Sequence, residues 1–122
     1  MGVKPLNDSE RIDLAKAYVA LSNSHRLAFI RPLFAQDATY HSAYVGEFKG
    51  RQAIGAMMAD FFARFPDVRW QAEVYRSTGP ESVGFEFLLT ATESLTGNRI
   101  ERRGEEYIEF TQGGFISRLE VK

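Results

Sequence analysis

The hydrophobic period of this chain changes for good at Pro66, after one brief β-type interruption, and that change limits the fold more than any other feature. Before it, apolar residues recur at spacings of three and four; after it, they alternate. The first spacing gathers side chains on one face of a helix and the second on one face of a strand, so helices come first and strands follow. Leu6-Asn7-Asp8-Ser9-Glu10 reads as a helix start, with Asn7 or Asp8 as cap, Glu10 reaching back and Leu6 as a staple. A wide apolar stripe (Ile12, Leu14, Ala15, Tyr18, Val19) then runs to about Leu21. Ser24-His25-Arg26 restarts the pattern, with His25 on the surface, and Pro32 makes this second helix short, kinked or split. DATYHSAY changes to β-type residues, and Gly46 and Gly50 bracket a brief EFK segment able to pair locally. A third helix opens at Gly50, repeats Ile54, Met57, Met58, Phe61, Phe62 and Phe65 as its core stripe, and ends at Pro66-Asp67.

Beyond Pro66 lie VRWQAEVYRS, SVGFEFLLTATES, RIERRGEEYIEF and FISRLEVK, separated by turns at Gly79-Pro80, Thr96-Gly97-Asn98 and Gly113-Gly114. Short turns imply antiparallel neighbours. The class is therefore α+β, in one domain over residues 1–122. The expected packing lays three N-terminal helices on a strongly curved, mostly antiparallel sheet that forms a cone-shaped half-barrel, with a ligand site at its mouth. Trp70 shares a face with Val68, Ala72 and Val74, and Val83, Phe85, Phe87, Leu89 and Ala91 form the cleanest apolar row. Both rows are expected to serve as core and ligand wall.

Fifteen basic against sixteen acidic residues leave a formal charge of −1, which removes the electrostatic case for nucleic acid or an anionic membrane. Ten phenylalanines exceed what a minimal core of this size needs, and a ring-lined cavity for a small hydrophobic molecule is one use for the surplus. The chain has no cysteine, which excludes disulfides and thiolate chemistry and fits a cytoplasmic protein. The N-terminal residues lack a signal-peptide core, and no run approaches the roughly 20 apolar residues of a membrane span. Two histidines without a matching carboxylate spacing make a weak case for metal, and no phosphate loop or G-x-S-x-G elbow occurs. No cofactor is expected.

One strand holds an anomaly. In RIERRGEEYIEF the odd positions, Arg99 to Glu109, belong in water, while the even row is Ile100, Arg102, Gly104, Glu106, Ile108 and Phe110. That core-facing row carries a guanidinium and a carboxylate, roughly 13 Å apart along the strand and too far for a direct ion pair unless Gly104 bulges. Each therefore needs another partner or a ligand, because an unpaired buried ion is costly. Burial raises the pKa of Glu106, which suits a general acid or a neutral hydrogen-bond donor; otherwise it pairs with a buried Arg or Tyr and organises the core. Arg102 either anchors a carboxylate or carbonyl or sits at the rim in water. Tyr40, Ser42 and Tyr44 share one face of the first strand, and His41 falls on the other.

The strings LFAQDATYHS, FKGRQAIGAMM, RFPDVRW and GEEYIEFTQGGFISRL resemble the nuclear transport factor 2-like superfamily, from about Tyr18 to Lys122. Ketosteroid isomerase, scytalone dehydratase, limonene-epoxide hydrolase and SnoaL-like polyketide cyclases share its fold, so the resemblance fixes no reaction. Against ketosteroid isomerase, Tyr18 matches the tyrosine that donates to the oxyanion, and Glu106 matches the protonated acid on a later strand. The base position falls on Ser42, which has no neighbouring base to activate it, and this argues against steroid isomerisation. The Asp-Arg-Asp arrangement of limonene-epoxide hydrolases is not recognisable. By the isomerase register, Tyr40, Ser42 and Tyr44 face inward and line the pocket; SnoaL-like sequences often carry a histidine near His41.

The resulting expectation is a SnoaL-like protein that binds a hydrophobic, oxygen-bearing molecule, with Glu106 and Tyr18 catalytic. Tyr40, Ser42, Tyr44, Trp70, Phe85, Phe87, Arg102 and Ile108 would bind substrate in a cofactor-free isomerisation, cyclisation or dehydration. The alternative is a non-catalytic binding or assembly module of the same fold. The open outer face of the sheet implies a homodimer, with Leu88, Tyr75 and Tyr107 as outward contacts.

Overall fold

A computed structural model describes residues 5–122. Helix α1 spans Asp8–Ser24, three residues beyond the stripe that ends at Leu21. Asn7 caps it by accepting from the Glu10 N–H at 2.8 Å, while the Asn7 N–H donates to the Glu10 carboxylate at 3.1 Å, which closes a capping box. The second helix is split at its proline into α2 (Leu27–Ile30) and a 3₁₀ turn, Arg31–Leu33. Strands β1 (Phe34–Ser42) and β2 (Gly46–Lys49) pair as a hairpin. Gly50, at φ 94°, turns the chain into α3, Arg51–Arg64. Strands β3 (Arg69–Ser77), β4 (Ser82–Thr92), β5 (Arg99–Phe110) and β6 (Ile116–Val121) complete the chain.

The six strands form one sheet in the order β2-β1-β6-β5-β4-β3. Here the expected shape is corrected. The sheet is mixed, because β1 runs parallel to β6, and it is open, with β2 and β3 at opposite ends. It is neither closed nor strongly curled, so it is not a cone-shaped half-barrel. Closing it would require β2 to pair with β3. Instead α1 packs against β3 and β4 and α3 packs against β1 and β2, so helices and not strands cover the inner face.

A second correction concerns β3. Its register against β4 slips between Glu73 and Arg76, where one extra residue forms a β-bulge. Val74 sits in this bulge at φ 57°, a left-handed conformation that is a genuine outlier for a β-branched residue. The bulge reverses the alternation. Val74, expected in the core row, is 57% exposed, and Tyr75, expected on the outer face, instead packs its ring 4.9 Å from that of Phe85.

His25 also departs from expectation. It ends α1 in a left-handed cap, lies with Nε2 2.7 Å from the Val68 carbonyl, and stacks on Phe62 at 4.6 Å. Beside it, Asn23 accepts from the Trp70 N–H at 2.8 Å and donates to the Trp70 carbonyl at 2.9 Å. Together these side chains hang the start of β3 from the end of α1.

Candidate functional site

Between α1, α3 and the inner face of the sheet lies a cavity. Its volume is about 60 Å³. The hollow is a narrow slot between side chains, with room for only a few waters across its tightest part.

At its base stands Glu106, 5% exposed. Its cross-strand neighbours are Phe85 on β4 and Val121 on β6, and the adjacent inward positions on β5 are Gly104 and Ile108. Alternation thus surrounds the carboxyl with groups that cannot donate a hydrogen bond. Among the described residues it has no hydrogen-bond or ion-pair partner, and burial alone pushes its pKa up to about 8. Arg11, the other buried side chain of a charged type among the described residues, is engaged far away at the start of α1 with the Leu6 carbonyl and Asp8.

Two phenols line the slot with it. Tyr18 follows Ala15 and precedes Val19 and Ser22 on the buried stripe of α1. Burial raises its pKa well above the usual tyrosine value, the charge of Glu106 adds to this, and the Ser22 hydroxyl one turn on opposes it. Tyr40, on β1, is raised by the same two causes, burial first. Tyr75, which the bulge turns inward, is pushed up to about 12 by burial and by Glu106. All three phenols therefore keep their protons at neutral pH and are available as donors.

The mouth carries the polar remainder. Ser42 lines the wall, but its oxygen accepts from the backbone N–H groups of Tyr44 and Val45 at 3.1 and 3.3 Å and so holds the β1–β2 turn. Tyr44 is 47% exposed, and the guanidinium carbon of Arg102 lies 3.8 Å from its ring centroid. Trp70 forms one side of the slot, with Phe61 6.0 Å away and stacked on it. Phe85 and Phe87 line the sheet side. Gly104 leaves no space: a Cβ there would meet the Phe87 ring at 2.8 Å and the Lys122 carbonyl at 2.6 Å, so the ring rests against the glycine.

Of the residues proposed from sequence, Tyr18, Tyr40, Ser42, Tyr44, Trp70, Phe85, Phe87, Arg102 and Glu106 all border the slot. Ile108 does not; it is fully buried in the core beyond Glu106. His41 lies outside the slot, with Nδ1 3.2 Å from Glu47 and Nε2 3.4 Å from Arg118. Ser22, which also borders the slot, was missed, and so was the inward turn of Tyr75, which packs on Phe85 without bordering the slot. Ser22 carries a readable signal, a hydroxyl four residues after Tyr18 on the same helix face; Tyr75 carries none, since nothing in the sequence announces the bulge. Among the described residues no group of three or more potential metal ligands occurs.

The SnoaL-like domain family model matches residues 15–119. No protein with a curated description matches the sequence. Several solved structures share the fold. SalBIII, an epoxide hydrolase/cyclase-like enzyme with a role in pyran ring formation in the polyether salinomycin, superposes with a TM-score of 0.84 at 17% identity, over 93% of this chain and 89% of its own. RV0760c from Mycobacterium tuberculosis, solved in complex with estradiol-17β-hemisuccinate, gives 0.80 at 17% identity over 91% of each chain. A computationally designed 17-OHP binder gives 0.78 at 18% identity, over 88% of this chain and 86% of its own. By its sequence from residue 15 to 119, this chain belongs to the SnoaL-like domain family, within the nuclear transport factor 2-like superfamily.

Proposed function

We propose that the slot binds a flat, hydrophobic, oxygen-bearing molecule and that Glu106, uncharged at neutral pH, delivers a proton to that oxygen while Tyr18 and Tyr40 donate hydrogen bonds beside it. The reaction class is a cofactor-free isomerisation, cyclisation or dehydration. In the dehydration form, the Glu106 proton passes to a hydroxyl, which leaves as water, and the carboxylate then recovers a proton from the adjoining carbon. Supporting this reading is one observation above all, the buried carboxyl without a protein partner between Phe85 and Val121. The ligands of the fold relatives, a steroid ester in one and 17-OHP in another, agree with a flat apolar guest.

A second reading has its own support. Besides Glu106 the slot offers phenols, hydroxyls and Arg102, and among the described residues no second carboxylate or histidine lines it to act as a partner base. A non-catalytic binder would need nothing more. Carbon-13 NMR of the Glu106 side chain, combined with a panel of fused-ring ketones, alcohols and epoxides, separates the readings. Proposed catalysis requires a carboxyl midpoint near 8 and product formation that Glu106→Gln abolishes while ligand still binds. A midpoint in the ordinary carboxylate range, or bound panel members that never turn over, would leave the binder.

A further inference from the structure

The geometry points to an anion anchor at the mouth of the slot: Arg102 receives a carboxylate, or another planar anion, at the far end of the ligand, so that the natural guest is an amphipathic acid. This rests on the proposed reading of the slot and narrows its ligand class. Arg102 and Glu106 face the same side of β5 with Gly104 between them, and both border the slot. Four residues of strand separate their backbones by roughly 13 Å. Over that interval the wall is apolar, because the Phe87 ring covers Gly104 and Leu89 is the cross-strand neighbour of Arg102. A ligand filling the slot therefore meets a polar group at each end and rings in the middle.

The guanidinium is free to act. Arg64, Arg76, Arg99 and Arg118 each lie within 4.0 Å of a carboxylate, whereas Arg102 has no such partner among the described residues. Its guanidinium lies instead over the Tyr44 ring, 3.8 Å from the centroid. Stacking occupies the face of the guanidinium and leaves its N–H edge, where the donors sit in a fork matched to a carboxylate. The ring also fixes the side chain in place, so less freedom is lost when an anion binds. Glu106 cannot serve as that anion, since it sits at the other end of the slot.

Isothermal titration of ω-(4-hydroxyphenyl)alkanoic acids of increasing chain length, each beside its methyl ester, tests the assignment. The wild-type protein should bind the best acid about tenfold or more tighter than its ester, a preference that weakens with added salt. In Arg102→Gln the acid should lose affinity until it binds no tighter than its ester, and Arg102→Lys should retain part of the preference. Equal binding of acid and ester, or a preference that survives Arg102→Gln, would overturn the anchor while the ligand-binding slot stands. Binding of neither compound class would overturn both. Should Arg102→Gln fail to fold, the wild-type acid-to-ester ratio and Arg102→Lys still decide.

Discussion

Glu105 and Glu106 are consecutive residues of one strand with identical side chains and opposite fates. Glu105 faces out. Its carboxylate accepts from the Tyr107 hydroxyl at 2.7 Å and lies 3.8 Å from the Arg76 guanidinium. It even stands in register with Glu86, which stands in register with Glu73, a row of like charges that only a wetted surface tolerates. Glu106 faces in, between Phe85 and Val121, and has no partner among the described residues. Cations are not scarce in this molecule; the inner face simply places none within reach. An uncompensated group held in a slot, a single residue away from a paired and half-exposed one, is the contrast on which the role proposed for Glu106 rests.

The largest effect that sharpens this contrast is in stability against pH. The folded chain keeps the Glu106 proton up to about pH 8, while the group's unperturbed value is 4.5. Between these values the folded state binds more protons, so the stability contribution is whole below 4.5 and is lost as pH rises through 8. The slope is about 1.4 kcal/mol per pH unit. Glu106→Gln should match the wild type in urea unfolding near about pH 4 and exceed it by a few kcal/mol near about pH 9. Glu105→Gln should differ by less than about 0.5 kcal/mol throughout. Equal pH profiles for the two variants would erase the distinction between the faces.

Next in size is Gly104→Ala. The added Cβ meets both the Phe87 ring and the Lys122 carbonyl, so the expected loss is about 1–3 kcal/mol in chemical denaturation. A neutral result would mean that the ring over the glycine is not fixed. Smallest is Val74→Gly, which removes a left-handed β-branched residue and should stabilise the fold by up to about 1 kcal/mol, the gain being limited by the added freedom of the unfolded chain. A destabilised Val74→Gly would show that the bulge is unstrained.

The third helix and the run of strands after it were readable from the period change at Pro66, and the inward side of β5 from alternation alone. These are local properties, set within a few residues. What escaped the sequence was non-local. The parallel contact of β1 with β6 joins residues about eighty apart and has no turn to announce it, and from it follows the open, mixed sheet in place of a half-barrel. The inward turn of Tyr75 depends on Val74 adopting a conformation its own side chain disfavours, so only the surrounding pairing imposes it. Ile108 was assigned to the slot because it shares a face with Glu106; alternation reports the face and not the depth at which packing closes. Arg102 and Glu106 were conspicuous for the opposite reason, as charges in an apolar row.

The amide of Asn23 does more than fasten two elements. An outermost strand normally leaves its N–H and C=O groups open to pairing by any extended chain that drifts past, the route to runaway sheet growth. At Trp70 both groups are already occupied by one asparagine, and the Val68 carbonyl just before the strand is met by His25. That stretch of border is thereby closed to recruits without a seventh strand, and the indole beside it keeps its post at the entrance.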